Sequence, residues 1–247
     1  ANAAVGVDNI DLEAAQARGL VVTNTPGVLT RTTADLAMAL ILDLLRRVAE
    51  GDRLVRRGGF KGISPLFHLG RDLEAKTLGV FGLGRIGKAL ARRARAFRMK
   101  IIYHNRRPDL EAEAELKARY VSFDRLLAQS DVISINAPLT DQTRGVFNYR
   151  AFERMKPGAF LVNTGRGPIV VEADLVRALK EGLLAGAALD VYQFEPQVHP
   201  ELLTLDQVVL TPHLGSATWE CREKMALMAA GNVLAHLAGR EPPNRVV

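Results

Sequence analysis

Cysteine is nearly absent from this 247-residue chain, with Cys221 its single example, so neither an intrachain disulfide nor a cysteine-rich metal site can form. That scarcity suits a reducing compartment. No apolar run approaches the roughly 20 residues that a membrane helix needs, and the opening Ala1-Asn2-Ala3-Ala4-Val5 lacks the basic start and long apolar stretch of a secretion signal. A cytoplasmic location with no membrane contact is expected. Internal repeats and low-complexity tracts are also missing. A formal charge of +6 raises the question of nucleic acid, but the basic residues are scattered over helix-like segments and no recognition motif accompanies them. No nucleic-acid partner is expected, and no metal site.

What is present is ordinary globular material, 48% hydrophobic and 24% charged, enough for one large or two small domains. Strand-like and helix-like segments alternate along it. A helical stretch from Asp11 to Arg18 ends at Gly19 and leads into strand-like Leu20-Val21-Val22-Thr23. From Ala34 to Arg47, Leu36, Leu40, Leu44 and Leu45 recur at helical spacing, which predicts a long amphipathic helix. Gly51 to Gly70 reads as an irregular connector, broken by Gly58-Gly59, Gly62 and Pro65. Beyond it, apolar runs fall at Leu78 to Phe81, Lys100 to Tyr103, Asp131 to Ile135, Phe160 to Val162, Ala187 to Val191 and Val208 to Leu210. Short buried strands separated by helical spacers predict an α/β fold, a doubly wound parallel sheet of the Rossmann kind.

The sharpest local signal is Thr77-Leu78-Gly79-Val80-Phe81-Gly82-Leu83-Gly84-Arg85-Ile86-Gly87, a strand running into Gly-x-Gly-x-x-Gly and then a helix. Gly82 would make the tight turn, Gly84 would let the backbone approach a pyrophosphate, and Gly87 would allow close helix packing. The helix amino terminus then offers amide groups and the positive end of its dipole to anions. Ile86, Leu90, Ala94 and Phe97 supply the expected buried stripe. A dinucleotide should bind here. The next strand ends in Tyr103-His104-Asn105-Arg106-Arg107, without the acidic residue that commonly binds the ribose of NAD. Asn105 can bond the ribose, and Arg106 or Arg107 can pair with a 2′-phosphate. NADP is therefore the preferred cofactor, with NAD possible and Asp109 close enough to weaken the argument.

Three further segments each begin where an apolar run ends: Asn163-Thr164-Gly165-Arg166-Gly167, Leu189-Asp190-Val191-Tyr192-Gln193-Phe194-Glu195-Pro196, and Thr211-Pro212-His213-Leu214-Gly215-Ser216. Ligands of open α/β sheets bind outside the carboxyl ends of the strands. Reducing a 2-oxo acid needs a cation for carboxylate and carbonyl, a proton donor for the developing alkoxide, and a partner that keeps the donor protonated. Arg166, His213 and Glu195 are those residue types. His199 is a rival donor because it follows Glu195 closely, though it lies in a polar, proline-flanked loop. Singly, each of these residues is more often structural than chemical.

Taken in order, the segments resemble the D-2-hydroxyacid dehydrogenases from Val5-Gly6-Val7-Asp8-Asn9-Ile10-Asp11 to the end, with Asn136-Ala137-Pro138-Leu139-Thr140 also in its family place. Asn105-Arg106-Arg107 and Pro65-Leu66-Phe67-His68-Leu69-Gly70 look most like the glyoxylate, hydroxypyruvate and 2-ketoaldonate reductases. The resemblance implies that Arg166 binds and polarises the substrate, His213 protonates its carbonyl oxygen and Glu195 bonds the imidazole. It implies further that Asp190 holds the nicotinamide carboxamide, and that Arg85, Ile86, Ala137, Pro138, Thr164, Gly165 and Gly215 lie along the dinucleotide. Residues 1–27 resemble the end of a flavodoxin-like substrate domain, 28–215 the dinucleotide-binding domain, and 216–247 a helix returning to the substrate domain. The family's first βα units have no counterpart here, and a first residue of Ala1 rather than methionine leads to the expectation of a fragment. A homodimer is expected from the family and from the long helix at Ala34, whose apolar positions exceed one face. The alternative is a catalytically inactive or truncated nicotinamide-binding regulatory or scaffold protein.

Overall fold

The computed structural model describes residues 1–247, which divide into two compact units, residues 34–214 and residues 1–33 with 215–247. The larger unit is a seven-stranded, wholly parallel sheet in the order β3-β2-β1-β4-β5-β6-β7. Its strands are β1 (Thr77–Phe81), β2 (Lys100–His104), β3 (Ala118–Tyr120), β4 (Val132–Ile135), β5 (Ala159–Asn163), β6 (Leu184–Leu189) and β7 (Val208–Leu210). In the larger unit the helices are α2 (Thr30–Arg46, whose first turn lies before the division), α3 (Val48–Arg56), α4 (Arg85–Ala96), α5 (Leu110–Leu116), α6 (Phe123–Gln129), α7 (Tyr149–Glu153) and α8 (Glu172–Lys180). The smaller unit holds α1 (Leu12–Ala17) and α9 (Trp219–Leu237).

Strand side chains alternate between two cores, as a pleated sheet covered on both faces requires. Leu78, Val80, Val132, Phe160 and Val162 join α2, α4 and α5 in one. Phe81, Ile133, Ile135, Leu161 and Leu189 join α6, α7 and α8 in the other. Each fully buried aliphatic contributes roughly 2 kcal/mol, and burial on both faces explains why these strands read as unbroken apolar runs. The order reverses between β1 and β4, so the helices that follow those two strands pack on opposite faces of the sheet, the arrangement that leaves a crevice for ligands at the carboxyl ends.

Several expectations need correction. Phe97 is 42% exposed and lies outside the buried stripe of α4, where the expected Leu90 and Ala94 are joined by Ala89 and Ala91. Leu20 to Thr23 is not a strand: Thr23 makes one antiparallel bridge to Arg245, and Val22 exchanges backbone bonds with Val246 and Val247. The connector after Gly51 is helical as far as Arg56, because α3 runs through Gly51. Strand β3, only three residues long, has no counterpart among the expected strands. The long helix starts at Thr30, and its surplus apolar positions Leu36 and Leu42 pack on the chain's own core. Those positions need no second copy.

Among the scattered cations, Arg56, Arg92, Arg93 and Arg177 pair with Asp52, Glu115, Asp35 and Glu181 on helix surfaces. No helix is long and apolar enough to cross a membrane.

Candidate active site

Strand β1 delivers its chain to the crevice at Gly82, whose φ of +96° is a conformation that a side chain resists. A Cβ there would also lie 2.6 Å from the backbone nitrogen of Ala137, so the loops leaving β1 and β4 touch at a glycine. At Gly87 a Cβ would lie 2.4 Å from the Gly82 carbonyl oxygen, which lets the first turn of α4 sit against the strand end. Gly84 differs, since a Cβ there would meet nothing within 4 Å. It is the N-cap of α4 and supplies no side-chain cap, so the first amide groups of the helix face the open side. Arg85 and Ile86 begin that helix, with Arg85 exposed and Ile86 half-buried.

Asn105 follows β2 and turns its side chain inward, where Oδ1 accepts a 2.6 Å bond from the Leu83 amide of the glycine loop. Its amide nitrogen is the group left to address a ribose. Arg106 and Arg107 are exposed and pair with no carboxylate. Asp109 does not compete with them. It caps α5 by accepting from the Ala112 amide and lies 2.7 Å from Lys88 Nζ, and the Lys88 ammonium holds its carboxyl below the usual range.

The loops after β4 and β5 carry two orphaned polar atoms. Asn136 donates its amide to Ser134, but its Oδ1 is buried without a partner, and so is the hydroxyl of Thr164. Buried groups of this kind are rare and call for a missing partner. Ala137 is buried and Pro138 exposed beside them, and Gly165 approaches the Ala137 and Ile135 carbonyls so closely that a Cβ would lie 3.1 and 3.3 Å away. An open glycine, an uncapped helix end and two unsatisfied polar atoms fit a dinucleotide laid across the carboxyl edge.

Asn163 shapes the next loop through Oδ1, which accepts from the Gly165 amide, and Nδ2, which donates to the Arg166 carbonyl. Half-buried Arg166 donates Nη1 to the Gly165 carbonyl at 2.9 Å. Immediately after it, Gly167 meets the loop that follows β6: a Cβ would be 1.7 Å from the Tyr192 carbonyl oxygen. No residue larger than glycine fits there.

After β6, buried Asp190 accepts from Thr211 Oγ1 at 2.6 Å and from the Leu214 amide at 2.7 Å, while its carbonyl accepts from the His213 amide. Asp190 therefore shapes the turn that carries the histidine. His213 itself takes a left-handed φ of +55°, uncommon outside glycine and often found where function imposes strain. Its Nδ1 lies 2.9 Å from Glu195 Oε2, and Glu195 Oε1 accepts from the Tyr192 amide. Both side chains stay partly exposed, at 52% and 37%. His199, the rival, uses Nδ1 to accept the Glu201 amide at the start of a short 3-10 turn. In the smaller unit, the Gly215 carbonyl accepts from Thr33 Oγ1.

Sequence reasoning passes over four residues of this site. Gly167 permits the loop contact; Tyr192 donates its hydroxyl to the Thr211 carbonyl; Thr211 bonds Asp190; and buried Glu172 accepts from the amides of Gln193 and His199. Burial pushes the Tyr192 phenol up to about 12, helped by the carboxylates of Asp190, Glu172 and Glu195. It is a neutral hydrogen-bond donor at any working pH. The loops containing Tyr192 and Thr211 are marked in the sequence; the bonds between them leave no sequence signal.

The family model for the NAD-binding domain of D-isomer specific 2-hydroxyacid dehydrogenases matches residues 38–215, which contain the glycine loop, Arg166, Glu195 and His213. The chain belongs to that family. It is an NAD(P)-dependent D-2-hydroxyacid dehydrogenase, an oxidoreductase of 2-hydroxy and 2-oxo acids. It is 53% identical to a glyoxylate reductase of Thermococcus litoralis over 247 aligned residues, 98% of this chain and 75% of that protein. Among solved structures, a protein from Thermus thermophilus is 48% identical with a TM-score of 0.94, over 99% of this chain and 77% of its own. An NADPH-dependent glyoxylate/hydroxypyruvate reductase from Sinorhizobium meliloti, in complex with NADP and malonate, is 38% identical with a TM-score of 0.90. That likeness covers 100% of this chain and 76% of the other.

Proposed function

We propose that this dehydrogenase reduces small 2-oxo acids, glyoxylate and hydroxypyruvate foremost, to D-2-hydroxy acids, with NADPH preferred over NADH. The observation that carries the reading is the 2.9 Å contact between His213 Nδ1 and Glu195 Oε2. A carboxylate on Nδ1 fixes the ring and its orientation, leaving Nε2–H to be given to the substrate carbonyl oxygen. Arg166 orients the substrate carboxylate and polarises the carbonyl. Asp190 holds the histidine turn and takes the nicotinamide carboxamide. Gly82, Gly84, Arg85, Ile86, Gly87, Ala137, Pro138, Thr164, Gly165 and Gly215 line the dinucleotide, and Asn105, Arg106 and Arg107 take its ribose and 2′-phosphate. When held by these residues, NADPH would supply the hydride that the reduction needs.

A second copy of the chain is the partner this reading includes. Its support lies in the segment 48–69 rather than in α2: Val48, Val55, Phe60, Ile63, Leu66 and Leu69 are all exposed, Ile63 by 90% and Leu66 by 82%. So many exposed apolar side chains within one segment suit a cover, and two-fold pairing of identical segments provides one.

Glu195→Gln tests the reading. The variant should lose reductase activity at a lower pH than the parent, because an amide in place of the carboxylate removes the negative charge that faces Nδ1. A superimposable pH profile would exclude the pairing, and NADPH binding without turnover of either 2-oxo acid would favour a regulatory protein instead.

A further inference from the structure

Glu172 is the first residue of α8 and one of very few buried ionisable side chains, 4% exposed. No cation pairs with it. Its partners are main-chain amides of the loop that carries Glu195: Oε1 accepts from Gln193 at 2.6 Å and Oε2 accepts from His199 at 3.2 Å. The loop answers in kind. Val171, the N-cap of α8, has no side-chain acceptor, and the Glu172 amide donates instead to Gln193 Oε1 at 3.1 Å. One helix end and one loop thus cap each other.

A carboxylate in the first turn of a helix stabilises that helix by itself. That role does not account for bonds to residues 21 and 27 positions away, which bracket Glu195 on both sides. Between the brackets, Glu195 has two contacts, the Tyr192 amide and His213 Nδ1. From the structure we infer that Glu172 is a positioning residue of the reaction, holding the Gln193-to-His199 loop in the shape that keeps Glu195 on His213. The inference rests on the proposed role of the Glu195 and His213 pair. Besides Glu172, the carboxylates that act on Tyr192 in this loop cluster are Asp190 and Glu195, and His213 faces Glu195 from the loop after β7.

Glu172→Gln is the informative change, because an amide has one acceptor oxygen and its NH2 would face one of the two backbone N–H groups. Expected are a fall in kcat on the order of tenfold, smaller than the 10²-fold cost of outright misplacement, and activity lost at a lower pH than in the parent. The KM for NADPH should stay within about twofold, since no residue of the glycine loop touches Glu172. The parent should show a downfield Nδ1–H proton resonance from His213 that weakens in the variant. If Glu172→Gln does not fold, Gln193→Ala removes the other half of the clasp and must move the pH profile in the same direction.

Glu195→Gln, measured alongside, separates the two possible failures. A profile shifted by Glu195→Gln but untouched by Glu172→Gln or Gln193→Ala overturns the inference alone. If Glu195→Gln shifts nothing, the pair itself is misread and the inference goes with it.

Discussion

Replacing Arg106 and Arg107 by alanine together tests the cofactor reading most directly. Both side chains are exposed and carry no ion pair, so their loss leaves no carboxylate stranded and should not disturb the fold. Exposed charge pairs contribute about 1 kcal/mol at most each, giving about 2 kcal/mol for the two against a 2′-phosphate. At about 1.4 kcal/mol per tenfold, kcat/KM for NADPH should fall roughly 30-fold while that for NADH, which lacks the phosphate, changes less than about threefold. The effect should shrink as salt rises, because screening acts over about 8 Å at physiological ionic strength. Steady-state rates with glyoxylate and each nucleotide, at low and high salt, read both quantities.

The neighbouring Asn105 offers the complementary change. An aspartate there keeps the oxygen that accepts from the Leu83 amide, so the glycine loop stays tied, yet it adds a negative charge at the end of β2. Asn105→Asp should therefore move preference toward NADH without loss of stability. Equal losses for both nucleotides in the arginine variant, or unchanged preference in Asn105→Asp, would refute the 2′-phosphate assignment. Asp109 cannot mask the result, because Lys88 and the α5 cap already hold it.

Gly167→Ala forces a methyl to within 1.7 Å of the Tyr192 carbonyl oxygen, so the two loops must part. Thermal melts should show about 1–3 kcal/mol of destabilisation, with kcat down on the order of 10²-fold; parent-like turnover would deny that this contact aligns the site. Burial pushes the Tyr103 phenol up to about 12 from 10.0, and both folded and unfolded chains keep it neutral below that lower value. Between the two, the unfolded chain ionises first and stability falls as pH rises, by about 1.4 kcal/mol at pH 11 for this group. Tyr103→Phe, which also loses the bond to Glu113, should be weaker at pH 9 but show a shallower decline in urea midpoint up to pH 11; an equally steep decline would contradict the assignment. Ile63→Asp with Leu66→Asp should halve the native mass in light scattering if the paired segments make the dimer, and an unchanged mass would place the interface elsewhere.

The strands that are legible in the sequence are those buried on both faces, for which an apolar run between helices is the direct imprint of a covered parallel sheet. Ala118–Tyr120 escapes because it is three residues at the sheet edge with Arg119 turned to solvent. Leu20 to Thr23 misleads for the converse reason: its apolar residues resemble a strand, but its pairing to the C-terminal residues is a single bridge. Helix α3 is hidden by Gly51, which reads as a breaker, and by the exposure of Val48 and Val55, apolar side chains at helical spacing that no part of the described chain buries.

In the site, the dividing line is distance along the chain. Gly82, Gly84 and Gly87 are legible because their spacing belongs to one strand-turn-helix motif, even though Gly82 also meets Ala137 of the loop after β4, and Arg166, Glu195 and His213 because parallel strands bring every carboxyl end to one edge. Glu172 carries no such mark. In sequence it is one more acidic residue opening a helix, where a surface position is the ordinary expectation; its burial and its two loop amides arise only when β5, α8 and β6 are folded together. Gly167 is similar, since the group that excludes a side chain there belongs to Tyr192. The residues proposed for the chemistry sit where the topology must place them, whereas those proposed to hold them in register are chosen by contacts between loops. A reading confined to motifs therefore recovers the first kind and passes over the second, and variants of Glu172 and Gly167 measure how much of the activity depends on what it passes over.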